Sequence, residues 1–63
     1  MPLVQITMLA GRTADQKRKL VQRITDAMEQ EAGARRDAIV VTFNEVSKES
    51  YASGGVLMAD KNK

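Results

Sequence analysis

Residues 3 to 9, Leu3-Val4-Gln5-Ile6-Thr7-Met8-Leu9, place Val4, Ile6 and Met8 on one side and Leu3, Gln5, Thr7 and Leu9 on the other, the period-two pattern of a β-strand. Both sides are largely apolar, which predicts that both are covered. Gly11 ends the run, and Thr13-Ala14-Asp15-Gln16 reads as a capping box, in which the Thr13 hydroxyl and the Gln16 side chain satisfy orphan N–H groups at a helix start. From Ala14 to about Ala32, Leu20, Val21, Ile24, Ala27, Met28 and Ala32 recur at helical spacing while Lys17, Arg18, Arg23 and Glu29 point elsewhere, which predicts one amphipathic helix. Gly33 suits the left-handed residue that ends it. Ala34 to Asp37 is a short polar connection, and Ile39 to Glu45, rich in β-branched residues, predicts a second strand.

Strand, helix and strand in this order form a β-α-β unit whose crossover is right-handed and whose strands are parallel. A two-stranded parallel sheet does not stand alone; more strands come most simply from a second copy of the chain, which also covers the edges. Beyond Ser47, the turn-prone Ser53-Gly54-Gly55 lies between Tyr51-Ala52 and Val56-Leu57-Met58 and predicts a small hairpin. Its short apolar arms need a neighbouring subunit to pack against. The fold class expected is α+β, with residues 1–63 forming one domain.

Composition sharpens the expectation of self-association. A chain of 63 residues buries only about 60% of the surface its unfolded form exposes. It has no Cys and no His, so no disulfide staples it and a structural zinc site is not expected. Oligomerisation is the remaining means of support. Only Phe43 and Tyr51 are aromatic, which favours an aliphatic, self-associating surface over an aromatic core. The apolar runs fall far short of the ~20 residues that cross a bilayer, and the start of the chain lacks the features of a signal peptide, so a cytoplasmic location away from membranes is expected. The net charge of +2 mildly favours anionic partners, small carboxylates as readily as nucleic acids. No cofactor is called for.

Candidate chemistry begins at Pro2. Removal of Met1, expected before a small second residue, leaves a secondary amine held by a strand. An α-amino group ordinarily titrates at about 7.7–8.0; the proline ring amine starts higher, so a site must depress it. Such a group can take a proton from carbon or attack a carbonyl, and without His or Cys few other groups can. A proline at the start of a strand, where a missing N–H costs nothing, is the plain alternative. Arg12, between the first strand and the Thr13 cap, combines a bidentate fork with the positive end of a helix, both suited to a carboxylate. A cation and partial burial would each lower the pKa of a nearby amine. Tyr51 can wall an apolar pocket while its hydroxyl donates a hydrogen bond. The Lys17-Arg18-Lys19 run with Arg23 reads as a solvated face, with Asp15 and Lys19 as an i,i+4 pair, and Met8, Met28 and Met58 as core or interface fillers.

Together, Pro2-Leu3-Val4-Gln5-Ile6, Leu9-Ala10-Gly11-Arg12-Thr13 with Gln16-Lys17, Ile39-Val40-Val41 and Tyr51-Ala52-Ser53-Gly54-Gly55 resemble the 4-oxalocrotonate tautomerase family along nearly the whole chain. The resemblance implies a β-α-β subunit that dimerises into a four-stranded sheet flanked by two helices, with three dimers making a homohexamer. It implies that Pro2, once amino-terminal, is the general base of an enol-keto proton transfer on a 2-hydroxydienoate or related enol, as in the degradation of aromatic compounds. Arg12 matches the arginine that binds the distal carboxylate. Tyr51 stands where well-known members carry a phenylalanine that keeps the pocket apolar.

One departure bears on the substrate. Val40 occupies the position of a second arginine that polarises the carbonyl end of 4-oxalocrotonate, removing an electrostatic contribution that is often the largest in such a site. Arg35 or Arg36 is the candidate replacement, and a substrate needing a single arginine clamp, such as a phenylenolpyruvate-like enol, fits better. Two other readings compete. A hydratase or dehalogenase would keep Pro2 protonated and need Glu45 or Asp37 to activate water. A small basic nucleic-acid-binding oligomer would need basic residues lining one strand face, which this sequence does not provide.

Overall fold

The computed structural model describes residues 1–61. Strand β1 (Leu3–Leu9) leads through Gly11 into helix α1 (Ala14–Ala32), and β2 (Val40–Val46) returns parallel to β1. The register pairs Leu3 with Val40 and Leu9 with Val46, and the ladder is prolonged at both ends, where Val40 N–H donates to the Pro2 carbonyl at 3.0 Å and Ala10 N–H to the Val46 carbonyl at 2.9 Å. Val4 beside Val41 and Ile6 beside Phe43 are half-buried, whereas Leu3 with Val40, Gln5 with Thr42, and Thr7 with Asn44 are exposed on the opposite face. Strand alternation thus gives the sheet one face for the helix and one face left open.

The helix has the ends its sequence predicts. Gln16 N–H donates to the Thr13 hydroxyl at 3.1 Å and Thr13 N–H to the Gln16 side chain at 2.9 Å, closing the capping box. Gly33, at φ 67°, takes the left-handed conformation that ends it. The connection to β2 contains a single 3₁₀ turn, Arg36–Ala38, which moves the start of the second strand from Ile39 to Val40. Asp15 pairs with Arg18 one turn on, not with Lys19.

The C-terminal segment forms a two-stranded antiparallel hairpin, β3 (Ala52–Ser53) and β4 (Val56–Leu57), closed by Gly54-Gly55 and flanked by 3₁₀ turns. Among the described residues no hydrophobic side chain is fully buried, and the only buried residue is Thr25. The radius of gyration is 14.9 Å, against about 11 Å for a compact domain of this length. An accessible surface of 4912 Å² for 6.9 kDa exceeds the roughly 4,000 Å² of a compact folded chain of that mass. The subunit is an open shape whose apolar faces lack a cover of their own.

Candidate active site

Pro2 and Arg12 stand at opposite ends of β1. The strand's seven residues extend about 23 Å at ~3.3 Å each, so one subunit does not bring the two residues together. Pro2 is half-buried and fixed by its carbonyl to the start of β2. Its immediate surroundings include Val40 and Leu3, both exposed and apolar. Arg12 is exposed between the end of β1 and the Thr13 cap, and no carboxylate of the described residues lies within ion-pairing distance of it. Its guanidinium is therefore free to take an external anion at a helix N-terminus. Tyr51 is exposed at the base of the hairpin, where its carbonyl accepts from Met58 N–H at 2.7 Å.

The remaining charged candidates are engaged elsewhere. Arg36 donates to Asp26 at 2.8 Å and also to Glu29, and these bonds, Asp26 first, hold its pKa above the ordinary guanidinium value. It fastens the C-terminal half of α1 to the connection and is thereby withdrawn as a stand-in for an arginine at position 40. Arg35 pairs with Asp37 at 3.0 Å on the open surface. Glu45 accepts from Lys17 through both oxygens, at 3.1 and 3.2 Å, so neither of the acids weighed as a water-activating group is unpaired. Lys17, placed by periodicity on a solvated face, instead reaches from the helix to the sheet. The sequence signal available was only the presence of opposite charges 28 residues apart, which selects no partner.

The nucleic-acid reading gains nothing from the geometry, because neither β1 nor β2 carries a Lys or Arg to line a strand face. Among the described residues no helix is long and apolar enough to cross a membrane, and no cluster of acidic residues is arranged to hold a metal ion.

Comparison with known proteins agrees with this geometry. The family model described as tautomerase enzyme matches residues 2–61. Over 60 residues the chain is 43% identical to the 2-hydroxymuconate tautomerase of Bacillus subtilis strain 168, covering 95% of this chain and 97% of that protein. The crystal structure of YwhB, a homologue of 4-oxalocrotonate tautomerase, superposes with a TM-score of 0.90 at 42% identity, covering 94% of this chain and 97% of that one. A heterohexameric 4-oxalocrotonate tautomerase from Chloroflexus aurantiacus gives a TM-score of 0.90 at 30% identity, over 97% and 98% of the two chains. Agreement that runs from Pro2 through the hairpin, at this identity and in this fold, places the chain in the tautomerase family, as an isomerase of the 4-oxalocrotonate tautomerase type.

Proposed function

We propose that this tautomerase moves a proton within a small enol carboxylate, with Pro2, amino-terminal after loss of Met1, as the base and Arg12 of a neighbouring subunit as the carboxylate anchor. The observation that carries this is the placement of Pro2 and Arg12 at opposite ends of a strand whose outer edge is unpaired among the described residues. Two copies related by a two-fold axis present the same edge to each other, so β1 meets β1 antiparallel. The start of one strand then faces the end of the other, and Pro2 of one subunit meets Arg12 of its partner. The same pairing makes a four-stranded sheet with both helices on one face. Three such dimers form the hexamer, an assembly size shared with the Chloroflexus aurantiacus relative, which is a heterohexamer.

In the site so formed, the neutral proline nitrogen takes the hydroxyl proton of the enol, the C–O bond becomes a carbonyl, and the resulting ammonium returns the proton to carbon. The partner's guanidinium lowers the pKa of that nitrogen and binds the carboxylate, while the Tyr51 ring from an adjoining hairpin excludes water. Val40 beside Pro2 and the diversion of Arg36 to the helix leave the proline end of the pocket apolar. The preferred substrate is therefore an enol with one carboxylate, a simple 2-hydroxydienoate or an arylpyruvate enol, over the dicarboxylate 2-hydroxymuconate that names the Bacillus subtilis relative.

Mixing subunits tests the composite site. Pro2→Ala is expected to lower kcat/KM for phenylenolpyruvate ketonisation by about 10²–10⁴-fold, and Arg12→Ala to raise KM. When the two impaired variants are unfolded together and reassembled, half of the randomly formed pairs are mixed and each holds one intact site, giving about a quarter of wild-type activity at substrate concentrations well below the raised KM. Mixtures as inactive as their parents would overturn the shared site. Intact mass confirming the loss of Met1 is the necessary companion measurement, because an amide nitrogen at Pro2 has no basic lone pair.

A further inference from the structure

The Lys17–Glu45 ion pair takes no part in the site described above, yet it is the tie between helix and sheet at the Arg12 end of the subunit. Its side chains are 29% and 31% exposed, against 37% or more for every group in the other ion pairs among the described residues. Glu45 is the register partner of Met8 in the ladder and lies on the helix side of β2. Lys17 is one turn into α1, and its backbone N–H donates to the carbonyl of the cap residue Thr13 at 3.1 Å.

We propose that Lys17 and Glu45 are a positioning pair for Arg12, fixing the first turn of α1 over the end of β2 and so setting where the Arg12 guanidinium meets the substrate carboxylate. This rests on Arg12 being the anchor. The segment that carries Arg12 is held at Ala10 by the ladder and at Thr13 by the capping box, but between them lies Gly11 at φ 129°, a conformation that glycine alone adopts readily. The direction of Arg12 therefore follows the position of the cap, and the cap follows the helix. With no hydrophobic side chain among the described residues fully buried, close packing alone does not lock the helix along the sheet, and the ammonium of Lys17, held between both oxygens of Glu45, ties its first turn to the end of β2.

The pair's net contribution to stability is small, as for other partly exposed ion pairs, so its effect is expected in substrate affinity. Ketonisation of 2-hydroxymuconate and of phenylenolpyruvate by Lys17→Met, Glu45→Gln and the double variant, alongside Arg12→Gln, provides the test. Each single variant is expected to raise KM by roughly three- to thirtyfold with kcat nearly unchanged, within the ~100-fold that a misplacement of 1 Å can bring. The double variant is expected to be no worse than either single one, and Lys17→Arg, which keeps the pair, to stay close to wild type.

A direct field effect or direct substrate binding by Lys17 gives a different pattern. Removing the negative charge of Glu45 would then lower KM, removing the positive charge of Lys17 would raise it, and the double change would cancel. That pattern overturns the proposal, as does an Arg12→Gln variant with raised KM beside Lys17 and Glu45 variants with none. If Arg12→Gln itself leaves KM unchanged, the anchor assignment falls, and the positioning role with it. Thermal melting and the assembled mass of each variant identify any that fail to fold; should Glu45→Gln do so, Glu45→Asp, which keeps the charge but shortens its reach to Lys17, decides the matter, a raised KM supporting the positioning role and an unchanged KM overturning it.

Discussion

In the proposed site the polarity beside Pro2 comes down to two residues. Val40 donates its N–H to the Pro2 carbonyl and shows an apolar side chain to solvent, while Arg36 is turned back onto Asp26 and Glu29. Val40→Arg is therefore expected to raise the ratio of kcat/KM for 2-hydroxymuconate over phenylenolpyruvate by roughly 10–100-fold, the range of one charge-assisted hydrogen-bonded contact at about 1.5–3 kcal/mol. Competing steady-state assays with the two substrates measure it, and an unchanged ratio would show that position 40 does not face the substrate. Arg36 adds no pH sensitivity near neutrality. Its folded pKa is raised, so its stabilising effect is complete below the unfolded value and is lost only as pH climbs through the folded one, far into the alkaline range. Pro2, Arg12 and Tyr51 were legible as candidates from residue type and position. The fate of Arg36 was not, because its partners lie ten and seven residues upstream and nothing in a linear pattern ranks one surface carboxylate above another.

At the scale of elements, local chemistry accounts for nearly everything seen in the first half of the chain. β1 and α1 have the predicted bounds because strand alternation, a capping box and a C-terminal glycine each act within a few residues. Thr13→Ala is expected to cost about 1 kcal/mol through loss of the cap, read as a lower melting temperature, and to raise KM as well because Arg12 adjoins the cap. Gly33→Ala meets no atom within 4 Å, so its expected loss of about 1–2 kcal/mol is backbone strain alone; being remote from Arg12, it should leave KM unchanged. β2 begins one residue later than its β-branched run suggests, since Ile39 closes the 3₁₀ turn with its N–H on the Arg36 carbonyl at 3.3 Å. A single such turn is too short to carry a periodic signal.

For the whole molecule, the decisive observation is the lack of a buried hydrophobic core among the described residues of one subunit. Leu3, Val40, Tyr51, Val56 and Leu57 are all exposed, and the hairpin is packed chiefly against its own flanking turns. In the proposed assembly these side chains become contacts between subunits, and stability depends on protein concentration. Melting temperature is expected to rise with subunit concentration, and Leu57→Asp to shift the equilibrium mass toward smaller species, with activity falling in step as Pro2 and Arg12 sites come apart. Light scattering and ketonisation on the same samples check both; a fully active monomer would refute the shared site.

The amino-acid sequence by itself determined the two strands, the helix and its ends, the turn of the hairpin and the identities of the chemically capable residues, because each of these is dictated by interactions within a few positions along the chain. Only the tertiary structure decided how the charges pair, that Arg36 turns back onto Asp26 and Glu29, and that Glu45 is tied to Lys17. Those outcomes depend on which distant segments lie side by side, whereas the separation of Pro2 from Arg12 follows from the rise per residue of the one strand between them, and in the proposed function it is a second subunit that brings them together.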